Sequence, residues 1–129
     1  MKLLLVRHGQ TIANTMGALD TDFPGNSLDP TGLSQAASLP DLLGADRLGG
    51  ISSLWTSPIA RARQTIAPLE GVTGLMASID SGLREVLAGD LEMCTDARSV
   101  ACYADTTRAW MIGRTAARLP GSPEDGADT

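Results

Sequence analysis

The sequence predicts an α/β fold, a three-layer sandwich in which a mostly parallel sheet carries helices on both faces. Two observations lead there. The run Leu3-Leu4-Leu5-Val6 is continuously apolar, β-branched at its end and halted by Gly9, the pattern of a strand covered on both faces rather than of an amphipathic helix. Asp29-Pro30 and Ser57-Pro58 each set a capping side chain directly before a proline, which marks a helix start after a strand or loop. At 129 residues the chain is read as one domain, 1–129, short for a two-sided sheet.

Each element follows from local chemistry. The first strand, Leu3 to Val6, runs out into Arg7 and His8, the single histidine of the chain. Open α/β sheets bind ligands at the carboxyl ends of their strands, so this polar pair has a place to work. Thr11 to Asn26, rich in Gly, Asp, Asn and Pro, reads as a loop or a short helix followed by a loop. Asp29 then caps a helix with Pro30 at its first position, and Leu33, Ala36, Ala37 and Leu43 form its inward stripe; Pro40 is expected to kink or split it. A second strand is predicted over Ile51 to Thr56, followed by a helix from Ser57-Pro58 through Thr65. Gly71 to Ile79 holds a third, weaker strand before the loop "LREVLAGDLE". Thr95 to Arg118 reads mostly as helix, and 119–129 is a polar Gly/Pro loop or tail.

Charge narrows the function. Ten Lys and Arg against fifteen Asp and Glu give a net charge of −5, which argues against a nucleic-acid or anionic-membrane binder. Any anion site must be a local concentration of arginines. No apolar run is long enough to span a bilayer, and Met1-Lys2 leads straight into a strand with no leader pattern, so a cytoplasmic protein is expected. Cys94 and Cys102 suit a reduced pair of small core residues, and a metal site is not expected with one histidine.

Three residues can carry chemistry together. A histidine with one ring nitrogen unprotonated is a good phosphoryl acceptor, and a transferring phosphoryl group needs the paired donors of arginine around its oxygens. His8 beside Arg7 meets the first need. Arg61, one turn into the helix after Ser57-Pro58, meets the second, aided by the positive helix end. Glu85, beside Leu83, Val86 and Leu87, is the candidate general acid, since apolar company favours a protonated carboxyl. Glu92 is its competitor in the same loop. Asn14 reads equally as a turn residue and a pocket residue, and Trp110 as a packing residue.

"LVRHGQT" resembles the Arg-His-Gly signature of the histidine phosphatase superfamily, the clan of cofactor-dependent phosphoglycerate mutases and many sugar-phosphate phosphatases. "GALDTDFPGNSLDPTGLSQA" is similar to that family's next segment, "TSPIARARQT" to its second arginine motif, and "LREVLAGDLE" to its acid-bearing loop. Four motifs in the family's order make chance a poor explanation. The resemblance implies that His8 is the phosphorylated nucleophile, that Arg7, Asn14 and Arg61 form the phosphate pocket, and that Glu85 donates the proton. It implies no cofactor and no metal. The family closes its pocket with a second histidine on a late strand, and no histidine follows His8, so the chain is expected to be a C-terminally truncated form lacking the family's last strands.

The function expected from these residues is hydrolysis of a small phosphorylated metabolite through a phosphohistidine. Mutase-type phosphoryl transfer is the alternative; against it, Leu87 stands where mutases carry a tyrosine, and Asp90, Glu92 and Asp96 make the following stretch acidic. A non-catalytic phosphate-binding member is the other alternative. A homodimer is one way for an open strand edge to be covered.

Overall fold

The structure is a computed structural model that describes residues 1–129. In chain order it contains α1 (Ile12–Met16), α2 (Pro30–Gly49), β1 (Trp55–Thr56), α3 (Ala60–Thr73), β2 (Ser78–Ile79), two 3₁₀ turns at Ser81–Leu83 and Gly89–Leu91, and α4 (Ala97–Met111). Strands β1 and β2 are parallel, with Trp55 opposite Ser78 and Thr56 opposite Ile79. Their ladder runs from Ser78 N to Leu54 O at 2.9 Å and from Asp80 N to Thr56 O at 3.0 Å. The architecture is therefore α/β with a small parallel sheet, in line with the fold class read from the sequence.

The first predicted strand does not form. Leu3 and Leu5 are 77% and 88% exposed, and the run from Leu3 to Val6 pairs with no other segment. An apolar strand is held by a neighbour on each edge and a layer on each face. Here no neighbouring strand pairs with it and its side chains are at best half covered, and side-chain hydrogen bonds begin at His8. The strand predicted over Ile51 to Thr56 shortens to β1, preceded by the buried Leu54, and the weak third strand is β2.

Helix α2 begins as its capping signal predicts. Asp29 accepts a hydrogen bond from Gly32 N at 2.8 Å, and Pro30 occupies the first helical position, where no amide hydrogen is needed. Two other expectations are corrected. The helix passes through Pro40 and breaks instead at Gly44, whose φ of 76° and ψ of 160° lie outside helical space and suit a residue without Cβ. The buried face is Gly32 and Ala36, while Leu33 and Ala37 are exposed and Leu43 is half-buried.

A backbone crossing sets that face. Gln10 N donates to Gln35 Oε1, Gln10 Nε2 donates to Asp29 Oδ2, and Asp29 N donates to Gln10 O, each at 2.9 Å. Gly9 and Gly32 meet at this crossing, where a Cβ on Gly9 would stand 2.6 Å from the Gly32 carbonyl oxygen. Close approach here turns Gly32 inward, and the rest of the helix follows.

Helix α3 starts at Ala60, later than Ser57-Pro58 suggests, and Ile59 at its N-cap brings no side-chain hydrogen bond. It continues past Thr65 to Thr73 and packs along α2. Helix α4 is capped by Asp96, which accepts from Ser99 N at 2.9 Å, and ends at Met111 rather than Arg118. Residues 119–129 form turns that fold back on the loop before α4. Leu119 is 1% exposed, Asp90 N donates to Pro120 O at 2.7 Å, and Leu87 N donates to Glu124 Oε1 at 2.6 Å. Trp110 is half-buried and donates to Ala117 O at 2.7 Å, a packing and anchoring role. Cys94 and Cys102 are free thiols, half-buried rather than in the core. No helix is long and apolar enough to cross a membrane.

Candidate active site

His8 follows the exposed N-terminal run and is half-buried. Its Nδ1 lies 2.7 Å from Gly9 O, and its Nε2 lies 3.2 Å from Arg61 Nε. A carbonyl oxygen only accepts and a guanidinium N–H only donates, so one tautomer satisfies both contacts: Nδ1 carries the proton and Nε2 offers its lone pair. Gly9 N in turn donates to Thr65 Oγ1 at 3.0 Å, and that hydroxyl donates to Arg61 O at 2.7 Å. Thr65 thereby pins the histidine turn to the first turns of α3.

Arg61 is 3% exposed, not the solvated first-turn arginine its position in the sequence allows. Its Nη2 donates to Asp20 O at 2.9 Å and its Nη1 to Asp20 Oδ2 at 3.3 Å. Asn26 N and Nδ2 donate to the same carboxylate oxygen at 3.0 and 3.1 Å. Three of the five guanidinium hydrogens are thus engaged, which leaves two for an anion. Gly25 makes room for this arrangement: with φ at 70°, a Cβ there would stand 2.7 Å from Arg61 Nη1.

Arg61, Asp20 and Thr21 line a cleft of about 120 Å³ together with Thr11, Ala18, Leu19, Glu85 and Tyr103. Several waters or a phosphate-sized anion fit in that space. Glu85 is exposed, as is Leu83 beside it, so the apolar cover suggested by the sequence is not what surrounds the carboxyl. What holds Glu85 is Tyr103, whose Oη lies 3.2 Å from Oε1; the Val86 amide donates to the same oxygen at 3.3 Å.

The sequence profile of the histidine phosphatase superfamily (branch 1) matches residues 3–129. The chain belongs to this superfamily. It is 34% identical over 113 residues to glucosyl-3-phosphoglycerate phosphatase of Mycobacterium tuberculosis, covering 84% of this chain and 47% of that protein. The mycobacterial glucosyl-3-phosphoglycerate phosphatase solved in complex with VO3 superposes with a TM-score of 0.62 and 30% identity, over 80% of this chain and 49% of that one. Alpha-ribazole phosphatase from Shigella flexneri superposes with a TM-score of 0.65 and 27% identity, over 90% and 55%. The chain spans about half or less of the length of the curated relatives it matches.

Within this superfamily member the sequence-predicted residues divide. His8 and Arg61 are in direct contact, and Arg61 and Glu85 share the cleft. Asn14 lies one turn into the cap of α1, where its Oδ1 accepts from Thr11 N at 2.9 Å and from Thr11 Oγ1 at 3.1 Å, so the capping half of its two readings is realised. Arg7 is exposed and takes part in neither ion pair of the chain. No group of three His, Cys, Asp or Glu side chains is placed to hold a metal ion.

Sequence reasoning missed Asp20, Thr21 and Tyr103, and weighed Glu92 only as a competitor of Glu85. The Glu92 carboxylate accepts from Thr21 N at 2.7 Å, from Asp22 N at 3.1 Å and from the Thr21 hydroxyl. That hydroxyl also accepts from Ala88 N at 2.8 Å. Glu92 therefore ties the Asp20 segment to the loop that carries Glu85. Its three bonds span about seventy residues of sequence, beyond any local pattern. Tyr103 had one usable signal, as the single tyrosine of the chain.

Proposed function

We propose that this chain carries the phosphoryl-transfer site of a phosphomonoester hydrolase acting on a small phosphorylated metabolite through a phosphohistidine. The observation that carries the reading is the His8 ring, held by Gly9 O on Nδ1 and facing Arg61 through Nε2. A nucleophile of fixed tautomer beside a fork of cationic donors is what in-line attack on phosphorus requires.

In this reading the ester phosphate enters the cleft and takes the two remaining guanidinium hydrogens of Arg61, with Arg7 and the Asn14 amide as further donors. As phosphorus nears Nε2, the Arg61 Nε–H turns from the ring lone pair to a phosphoryl oxygen. The N–P bond forms while the ester P–O bond breaks, and Glu85 gives its proton to the leaving oxygen. Water then attacks phosphorus and loses a proton to Glu85, the N–P bond breaks, and phosphate leaves with both His8 and Glu85 restored. The acidic stretch through Asp90 and Asp96 favours release to water over retention of a second phosphorylated hydroxyl.

Rapid acid-free quench of the chain with a ³²P-labelled aryl phosphate tests the reading. Label on His8, absent from His8→Ala, is the expected result. Phosphate binding that raises the melting temperature with no label on His8 would instead make the chain a binding protein.

A further inference from the structure

Glu85 is exposed, and its one side-chain hydrogen bond to another element is with the phenol of Tyr103 on α4. Tyr103 Oη lies 3.2 Å from Glu85 Oε1 and 2.9 Å from the Val86 carbonyl oxygen. A phenol has one hydrogen to give and lone pairs to offer. The phenol donates toward both the Val86 carbonyl oxygen, the nearer, and Glu85 Oε1, so its single hydrogen is shared between them. Glu85 Oε1 also accepts from Val86 N, so Oε2 is the oxygen left to carry the carboxyl hydrogen toward a leaving group.

After Glu85 has delivered its proton, the ionised carboxylate is the stronger acceptor and draws the shared phenol hydrogen toward Oε1. One side chain thus supports the acid in both of its states without moving a heavy atom. Burial, with the negative Glu85 beside it, raises the Tyr103 hydroxyl above its ordinary value of 10, so the phenol keeps its hydrogen throughout. Tyr103 is half-buried and also forms part of the cleft wall.

We propose that Tyr103 is a positioning residue for proton delivery: it holds the Glu85 carboxyl on the cleft wall in the orientation that hands its hydrogen to the leaving oxygen. This rests on the phosphatase reading above. In the step it serves, the proton leaves Glu85, the ester P–O bond breaks toward the protonated oxygen, and the shared phenol hydrogen is drawn toward Glu85 Oε1.

The test is Tyr103→Phe, which keeps the ring and removes only the hydroxyl. The rate of His8 phosphorylation is measured by quench with an alkyl phosphate and with a nitrophenyl phosphate, alongside apparent affinity for each and the melting temperature. The expected result is about a tenfold lower rate on the alkyl ester, whose leaving group needs a proton, with little change on the nitrophenyl ester or in either affinity. In Glu85→Gln, adding Tyr103→Phe should cause no further loss on the alkyl ester. Equal losses on both esters, no loss on either, or additive losses in the double variant would overturn the proposal. Tyr103→Trp provides the check on packing: with the melting temperature preserved it should share the leaving-group effect. Absence of any label on His8 in the parent chain would overturn the phosphatase reading itself. A labelled His8 with an unchanged Tyr103→Phe leaving-group profile would overturn this proposal alone.

Discussion

Arg61 and Asp20 form a buried ion pair, with side chains 4% and 8% exposed, in which the guanidinium reaches both the carboxylate and the backbone oxygen of its partner. Breaking a buried pair from one side strands the other charge, which costs about 3–5 kcal/mol. Arg61→Ala should therefore weaken the fold as well as any phosphate binding. Removing Asp20 as well relieves the stranded charge, so urea unfolding of the two single variants and of Asp20→Ala/Arg61→Ala should show the double variant less destabilised than the sum. Strict additivity would mean that the pair contributes nothing jointly.

Glu92 gives a second prediction. It receives three hydrogen bonds from Thr21 and Asp22, which makes it a structural tie rather than the competitor of Glu85 that its loop position allows. Glu92→Ala leaves the Thr21 amide without its partner and should cost about 1–3 kcal/mol. Glu85→Ala, at an exposed position, should change the unfolding midpoint far less. Equal midpoints for Glu92→Ala and the parent would mean that the tie is not maintained in solution.

The crossing of Gly9 and Gly32 makes a third. A Cβ on Gly32 would collide with the backbone at Gln10, and backbone has no rotamer to yield. Gly32→Ala should destabilise by about 1–3 kcal/mol even though alanine is the better helix former. Gly49→Ala at the end of α2, where a Cβ meets nothing, is the comparison. Thermal melting of both checks it; a Gly32→Ala variant as stable as Gly49→Ala would mean that the two segments do not approach closely.

A fourth concerns acid. Asp29 and Asp96 cap α2 and α4, and backbone hydrogen bonds from Gly32 and Ser99 hold their carboxyl groups below the ordinary 3.8. A carboxyl that binds protons less readily when folded stabilises the fold above its unfolded value, and that contribution disappears as pH falls through the folded one. The melting temperatures of the parent and of Asp29→Ala should therefore differ most near neutral pH, and the gap should narrow as the pH falls below 3.8. A gap between them that stayed constant through that range would mean that charge plays no part in the cap.

Sequence by itself determined the features that act within a few residues. Asp29-Pro30 fixes the start of α2 because the cap and the proline ring work on adjacent dihedrals and amides. The Arg-His-Gly signature, the second arginine motif and the acid loop stand in the order of the family they resemble, which names His8, Arg61 and Glu85 as one candidate set. Tertiary structure alone decided what spans the chain. Whether Leu3 to Val6 is a strand depends on neighbours that no local pattern supplies, and it is exposed. The face that α2 buries follows from the Gly9–Gly32 crossing rather than from its apolar spacing, and the break falls at Gly44 because φ of 76° suits glycine while Pro40 is tolerated within the helix. The partners of the predicted residues, Asp20 for Arg61, Tyr103 for Glu85 and Thr21 for Glu92, lie between 18 and 71 positions away. A hydrogen bond at 3 Å depends on where backbones come to rest, and periodicity and capping carry no information about that across such distances.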